Sequence, residues 1–250
     1  MIFLTGGEKG GCCKSTTALC LSGELVYRGY SVGLLDADKK MSAKNWTLVR
    51  DELIQYLNDG SYGKILTDDI ISEIPKRVIE NLKKNGLPQI EGKHATGDIL
   101  DTIINMSKRN DILIIDVGGG DTEEFRLALS VADLAIFPLK PSILDWDTAP
   151  KLVHTLKMAS ISNKNLVMKT LISDAPTNPL SAITKRFKAQ AQETEMLSNI
   201  MSTVVKNRDA YKECLEWGLS PRDWKDQKAK AEISSVAQEI IDLFELKVKE

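Results

Sequence analysis

The stretch Lys9-Gly10-Gly11-Cys12-Cys13-Lys14-Ser15-Thr16 follows a short apolar run, Ile2-Phe3-Leu4, and opens onto Ala18, Leu19, Leu21, Leu25 and Val26. That order predicts strand, tight turn, helix. Glycines let the turn close tightly. The helix start presents N–H donors and the positive end of a dipole, so the bend suits phosphate oxygens. Lys14 adds a point charge for the outer phosphates, and Ser15 offers a hydroxyl to a magnesium ion.

The stretch departs from the common phosphate loop, G-x-x-x-x-G-K-[ST], at two places. Glu8 stands where that pattern has its first glycine, with Gly7 one position early, and Cys13 stands where it has its second. A side chain at 13 costs about 1–2 kcal/mol if the backbone there is left-handed. The N–H donors survive the change, so the expectation is retained nucleotide binding with slow turnover. That opens a second class of function, a nucleotide-dependent switch or scaffold with little hydrolysis.

The chain has 250 residues, 42% hydrophobic and 27% charged, which suits a globular α/β domain with a sizeable core. Its net charge of −2 gives no overall basic signature, so any contact with DNA requires a local patch. Lys185, Arg186 and Lys188, or Lys225, Lys228 and Lys230, are the candidates; each also reads as a solvated face. Cys12, Cys13, Cys20 and Cys214 form no disulfide framework and read as reduced thiols. Cys12 and Cys13 at a helix start also admit a redox reading, although small polarizable side chains simply fit there. No run reaches the roughly 18 apolar residues of a membrane span, and no signal peptide is legible, so the expected location is the cytoplasm.

Aliphatic runs alternate with helical stretches. Val32 to Leu35 ends at Asp36, Ile112 to Ile115 at Asp116, and Leu134 to Phe137 at Pro138; Leu166 to Ile172 and Met201 to Val205 come later. Such runs predict an α/β fold with a doubly wound, mostly parallel sheet and helices on both faces. Ligands in such sheets bind beyond the carboxyl ends of the strands, where the loop, Asp36 and Asp116 can meet. Residues 47 to 90 read as an added helical section. Val49, Leu53, Ile54 and Leu57 share one helix that stops at Asn58-Asp59-Gly60. A second runs from Pro75, with Val78, Ile79 and Leu82 facing inward, to Asn85-Gly86. A last helix is expected from about Glu232, its stripe being Ile233, Val236, Ile240, Ile241 and Phe244. Its polar face carries Glu239, Asp242 and Glu245, which anionic lipid would repel. One domain spanning residues 1 to 250, with a helical insertion at about 50–90, is the simplest account.

A lysine just before Gly-Gly, five places ahead of the loop lysine, together with Asp36-Ala37-Asp38 and the Ile-Leu-Ile-Ile-Asp strand ending at Asp116, resembles the deviant Walker A ATPases of the ParA and MinD kind. Met41 to Trp46, Phe137 to Asp145, Asn207 to Tyr211 and Gly218 to Ser220 resemble segments of the small plasmid-partition ParA proteins, the ParF-like ones. The resemblance implies a P-loop NTPase fold, ATP and magnesium as cofactors, and a nucleotide-contacting segment made of Glu8, Lys9, Gly10, Gly11, Cys12, Cys13, Lys14, Ser15 and Thr16. It implies Ser15, Asp36 and Asp116 as the metal set, Asp38 as the residue that orients water, and Lys14 and Lys9 as catalytic lysines. Lys9 would reach the partner's nucleotide across an ATP-dependent homodimer.

The resemblance further implies non-specific DNA as a partner, with association to the nucleoid. A small centromere-binding protein, or a relaxosome-type DNA-binding protein, is the second partner it implies. Plasmid partition is the expected task. Assistance to conjugative DNA transfer is the alternative, and a MinD-like membrane-cycling regulator is opposed by the acidic residues on the last helix.

Overall fold

The computed structural model describes residues 1–142, 146–147, 149–178 and 181–247. Among them seven strands form one sheet: β1 (Ile2–Thr5), β2 (Val32–Ala37), β3 (Glu91–His94), β4 (Ile112–Val117), β5 (Leu134–Leu139), β6 (Val167–Ala175) and β7 (Ile200–Lys206). Their order is β3-β2-β4-β1-β5-β6-β7, and every neighbouring pair is parallel. The helices are α1 (Lys14–Val26), α2 (Ser42–Asp59), α3 (Asp68–Glu73), α4 (Lys76–Asn85), α5 (Leu100–Arg109), α6 (Glu123–Val131), α7 (Ala149–Ser162), α8 (Ala182–Gln192), α9 (Asp209–Glu216) and α10 (Gln227–Leu243).

β2, β4 and β5 are buried along their whole length, because helices cover both faces of the sheet. Successive side chains alternate between two cores. Phe3, Ile112, Ile114 and Ile136 join residues of α1, α2, α4, α9 and α10, whereas Leu4, Leu113, Ile115 and Phe137 join residues of α5, α6, α7 and α8. Each fully buried side chain of this size contributes about 1.5–3 kcal/mol. From β1 the chain first moves to β2 on one side, and it later passes from β4 across β1 to β5 on the other. The carboxyl end of β1 therefore lies where the winding direction reverses, which is where such sheets open a crevice.

One expected start needs correcting, one strand and one buried helix face were not foreseen, and the helix of Val49, Leu53, Ile54 and Leu57 stops at Gly60 as expected. β3, Glu-Gly-Lys-His, escapes the aliphatic pattern because it is a short, partly exposed edge strand. α10 begins at Gln227, five residues before the expected start; Asp226 caps it by accepting from the N–H groups of Lys228 and Ala229, and Ala229 is buried. α2 begins at Ser42, and its buried stripe is Ala43, Trp46, Thr47, Arg50 and Leu53; Val49, Ile54 and Leu57 are only partly buried. A charged residue inside that stripe hid it. Arg50 is fully buried because its Nε donates to Pro88 O at 2.9 Å, its Nη1 donates to Gly218 O at 2.9 Å, and Asp223 Oδ2 lies 3.7 Å from Nη1. α4 lies as expected between Pro75 and Gly86, burying Val78 and Leu82, with Ile79 only partly buried against the same core. Part of the Phe137 to Asp145 segment, residues 143–145, lies outside the described residues.

Gly218 has φ 66°, and a Cβ on it would sit 2.4 Å from the backbone nitrogen of Arg50; Gly60 has φ 78° and open space around it. Gly60→Ala should therefore cost about 1–2 kcal/mol, the left-handed penalty alone. Gly218→Ala should cost about 2–4 kcal/mol, since overpacking against α2 adds to it. Urea unfolding of both variants checks this; equal losses would show that the contact with α2 is not a constraint.

Candidate functional site

The chain enters α1 through two left-handed residues, Gly11 at φ 78° and Cys13 at φ 69°. Cys13 precedes the first helical residue, its carbonyl accepts from Thr17 N–H at 2.8 Å, and its side chain makes no capping bond. The first turn of α1 carries no acidic residue. By contrast, α6 is capped by Thr122, with Glu123 and Glu124 in its first turn. The start of α1 thus keeps its donors and its positive dipole end for an outside anion.

Lys14 is almost fully buried in this bend. Its ammonium donates to Lys9 O at 2.8 Å, the same carbonyl that accepts from Cys12 Sγ at 3.0 Å, and Nζ lies 3.8 Å from that sulfur. The loop is held from behind by the turn after β4. A Cβ on Gly119 would sit 2.9 Å from Gly10 N, and Gly120 N–H donates to Gly7 O at 3.3 Å. Sequence reasoning passed over Gly118-Gly119-Gly120. Three consecutive glycines directly after the Asp116 strand were the available signal.

Asp36 and Asp116 are register partners on β2 and β4, both fully buried. Asp36 uses both oxygens locally: Oδ1 accepts from Asp38 N at 3.0 Å and Oδ2 from Lys44 N at 2.8 Å. Asp116 Oδ1 is 3.5 Å from Thr5 Oγ1, while its Oδ2 is buried with no hydrogen-bond partner among the described residues. Burial pushes the Asp116 carboxyl up to about 7; the Ser15 hydroxyl opposes the shift and the neighbouring Asp36 charge adds to it. An orphaned buried carboxylate oxygen beside a hydroxyl fits a hard divalent cation such as magnesium, which takes few protein ligands and keeps waters. Asp38 lies at the edge of the same site, its carboxylate 3.5 Å from where a Cβ on Gly118 would be. Glu8 sits beside the loop; burial and then Asp121 raise its pKa, opposed by Lys151 and Lys14.

A cleft of about 760 Å³ joins these groups to the far side of the sheet. Glu8, Gly10, Gly11, Cys13, Lys14, Ser15, Thr16 and Asp38 line one end, and Lys140, Asp174, Lys206, Asn207, Arg208 and Tyr211 line the other. Lys9, Cys12, Asp36 and Asp116 do not line it; the last two stand behind the lining. Asp174, left-handed at φ 54°, pairs with Lys140 at 2.7 Å and was not singled out from sequence, because a lone aspartate after a strand carries no pattern.

Residues 1–214 match the family described as ATPase MipZ. The chain belongs to that family. A curated relative, the protein ParA of Rhizobium radiobacter, is 26% identical over 149 residues, which cover 58% of this chain and 50% of that protein, so the match spans half the relative's length. Solved structures agree on the fold. MinD of Pyrococcus horikoshii, complexed with Mg-ADP, has a TM-score of 0.64 at 18% identity, covering 100% of this chain and 99% of that one. A Cyanothece McdA–ATP complex has a TM-score of 0.66 at 16% identity, covering 100% and 98%. The seven-stranded parallel sheet with helices is the P-loop NTPase fold of MinD and ParA proteins. Among the described residues no helix is long and apolar enough to cross a membrane.

Replacing Cys13 by glycine should raise stability by about 1 kcal/mol, the left-handed penalty less the added glycine entropy. Urea unfolding reads it, and an unchanged midpoint would mean that the thiol's contacts offset the strain.

Asp116 keeps its proton to about pH 7 when folded, against a reference value of 3.8. The folded state therefore binds more protons in between, so with chelator present stability should fall as pH rises from about 4 to 7. Asp116→Asn should flatten that slope, and magnesium should oppose it in the parent chain by favouring the charged carboxylate. Thermal midpoints at pH 5 and 8, with chelator and with magnesium, test the sign.

Proposed function

We propose that the chain is a magnesium-dependent ATPase whose ATP-bound form is a homodimer that positions DNA, with plasmid partition as its task. One observation carries the reading: the left-handed bend and the buried Lys14 ammonium line one cleft, and the buried Asp116, its Oδ2 without a hydrogen-bond partner among the described residues, stands directly behind that lining. Family membership supports the ATPase part. The Mg-ADP bound to MinD and the ATP bound to McdA support the nucleotide. The name ParA of the Rhizobium radiobacter relative supports positioning and partition.

In this reading the backbone of residues 8–16 grips the phosphates, and Lys14 leaves the Lys9 carbonyl to neutralise the outer ones. Ser15 and Asp116 hold magnesium, with Asp36 behind them; the ion, when bound, supplies charge neutralisation on the transferring phosphoryl group. Asp38 orients the attacking water from the edge of the site. Lys9 completes the partner's site across the dimer, which makes ATP part of the interface and its hydrolysis a release signal. The left-handed Cys13 favours a second reading, a nucleotide switch with little turnover, because strain sits in the segment that must follow the phosphates through the reaction.

Titration with labelled ATP and magnesium should saturate and should double the particle mass. Lys14→Ala should weaken binding roughly 100-fold, the loss of a charge-assisted contact worth about 3 kcal/mol. Asp38→Ala should keep binding and lose about 100-fold or more in turnover. Absence of saturable binding by the parent chain overturns the proposal. A single-turnover phosphate release no faster than that of Asp38→Ala, with or without DNA, selects the switch.

A further inference from the structure

The cleft has two ends, and phosphates need only the one at the bend. The other lies at the carboxyl end of β6, two strands from β1 and so about 10 Å across the sheet. There the pairing of β6 with β7 is irregular. Ile172 faces Val204 and Ala175 faces Lys206, so three residue steps on β6 stand opposite two on β7. A bulge of this kind re-aims a side chain, and Asp174, at φ 54°, is the left-handed residue inside it. Asp174 lines the cleft and holds Lys140 Nζ at 2.7 Å on its Oδ2. Ser173 lines the same cleft and is fully buried, and its hydroxyl has no hydrogen-bond partner among the described residues. Arg208 and Tyr211 are committed elsewhere, donating to Glu232 Oε1 at 2.6 Å and Oε2 at 2.8 Å. Leu215 and Ile233 add apolar surface. Apolar walls with a few convergent polar groups suit a flat ring with a polar edge. A further phosphate would be repelled by the carboxylate.

Given the nucleotide reading, on which this rests, we infer that Asp174 reads the edge of the base and that the cleft takes GTP as well as ATP. A carboxylate is acceptor-only and has about four lone-pair sites, so Oδ2 keeps Lys140 while both oxygens still accept. The Watson–Crick edge of guanine carries two neighbouring donors, N1–H and the N2 amino group, which match the two oxygens. Adenine offers one donor, its N6 amino group, and beside it N1, whose lone pair faces the second oxygen. A site built to accept from two donors rejects the analogue that lacks one, because a polar group is then left unpaired. The Lys140 ammonium, held on the same carboxylate, supplies a donor for guanine O6, and the Ser173 hydroxyl suits a ring acceptor. The phosphate grip is common to both nucleotides, so ATP is still taken.

The full-length chain is titrated by calorimetry, in magnesium, with ATP, GTP, ITP and XTP. GTP should bind at least as tightly as ATP. ITP, which lacks the N2 amino group, should bind about tenfold more weakly than GTP. Asp174→Asn exchanges one acceptor for an N–H donor. It should weaken GTP about tenfold or more and bring XTP, whose C2 carbonyl accepts from that donor, to tighter binding than GTP. A purely structural role for Asp174 would not reverse the order of two nucleotides. ATP bound more tightly than GTP, ITP bound as well as GTP, or GTP and XTP weakened in parallel by Asp174→Asn overturns the base-reading role and leaves the ATP reading standing. No saturable uptake of any of the four by the parent chain overturns both.

Discussion

The bend between β1 and α1 must turn successive backbone N–H groups toward one point, and an L-residue backbone does this only by entering left-handed space. Here Gly11 and Cys13 do so, one at no steric cost and the other against a penalty of about 1–2 kcal/mol. The strain persists because the bend is fixed on every side. β1 is hydrogen-bonded between β4 and β5, α1 packs in the core, and Gly119 lies so close behind Gly10 that no side chain fits between them. A loop held in this way is organised before any ligand arrives, which keeps the ordering cost out of binding.

Charge burial is the second constraint, and it depends on the first. Two carboxylates side by side on β2 and β4 are costly inside a sheet. The two are handled differently. Asp36 spends its oxygens on the N–H groups of Asp38 and Lys44, which fixes the turn into α2 and the position of Asp38. Asp116 keeps Oδ2 without a hydrogen-bond partner among the described residues, and burial pushes its carboxyl up to about 7. The first carboxylate thus builds the site, while the second stays responsive to a cation or a proton.

The helices of residues 42–85 are tied into the same system. Trp46 Nε1 donates to Leu219 O at 3.0 Å and Arg50 binds Gly218 O, so α2 connects the Asp36 turn to the segment following α9, and Tyr211 on α9 lines the cleft. Breaking the Arg50 pairing would leave a guanidinium fully buried without its acceptors, which costs far more than an exposed ion pair. Glu52 performs the same task at the surface, accepting the N–H groups of Lys64, Ile65 and Leu66 and so shaping the chain between α2 and α3.

The strands β1, β2, β4 and β5, the phosphate bend, and the arrival of Asp36 and Asp116 at strand ends were legible in the chain. Each depends on local chemistry: aliphatic runs, glycine spacing, and polar residues where a strand stops. β3, the true inward face of α2, the start of α10 and the Gly118–Gly120 backing were not, because each is decided by a partner distant in sequence. Arg50 reads as solvent-facing until Gly218 and Asp223 are beside it, and Glu91 to His94 become a strand only because β2 offers an edge. The sequence by itself determined which groups would be present at the site, since residue type sets charge, donors and backbone freedom. Only the tertiary structure decided which of them share a cleft, which carboxylate oxygen is left unpartnered, and which of four thiols faces the opening, since those are properties of long-range packing.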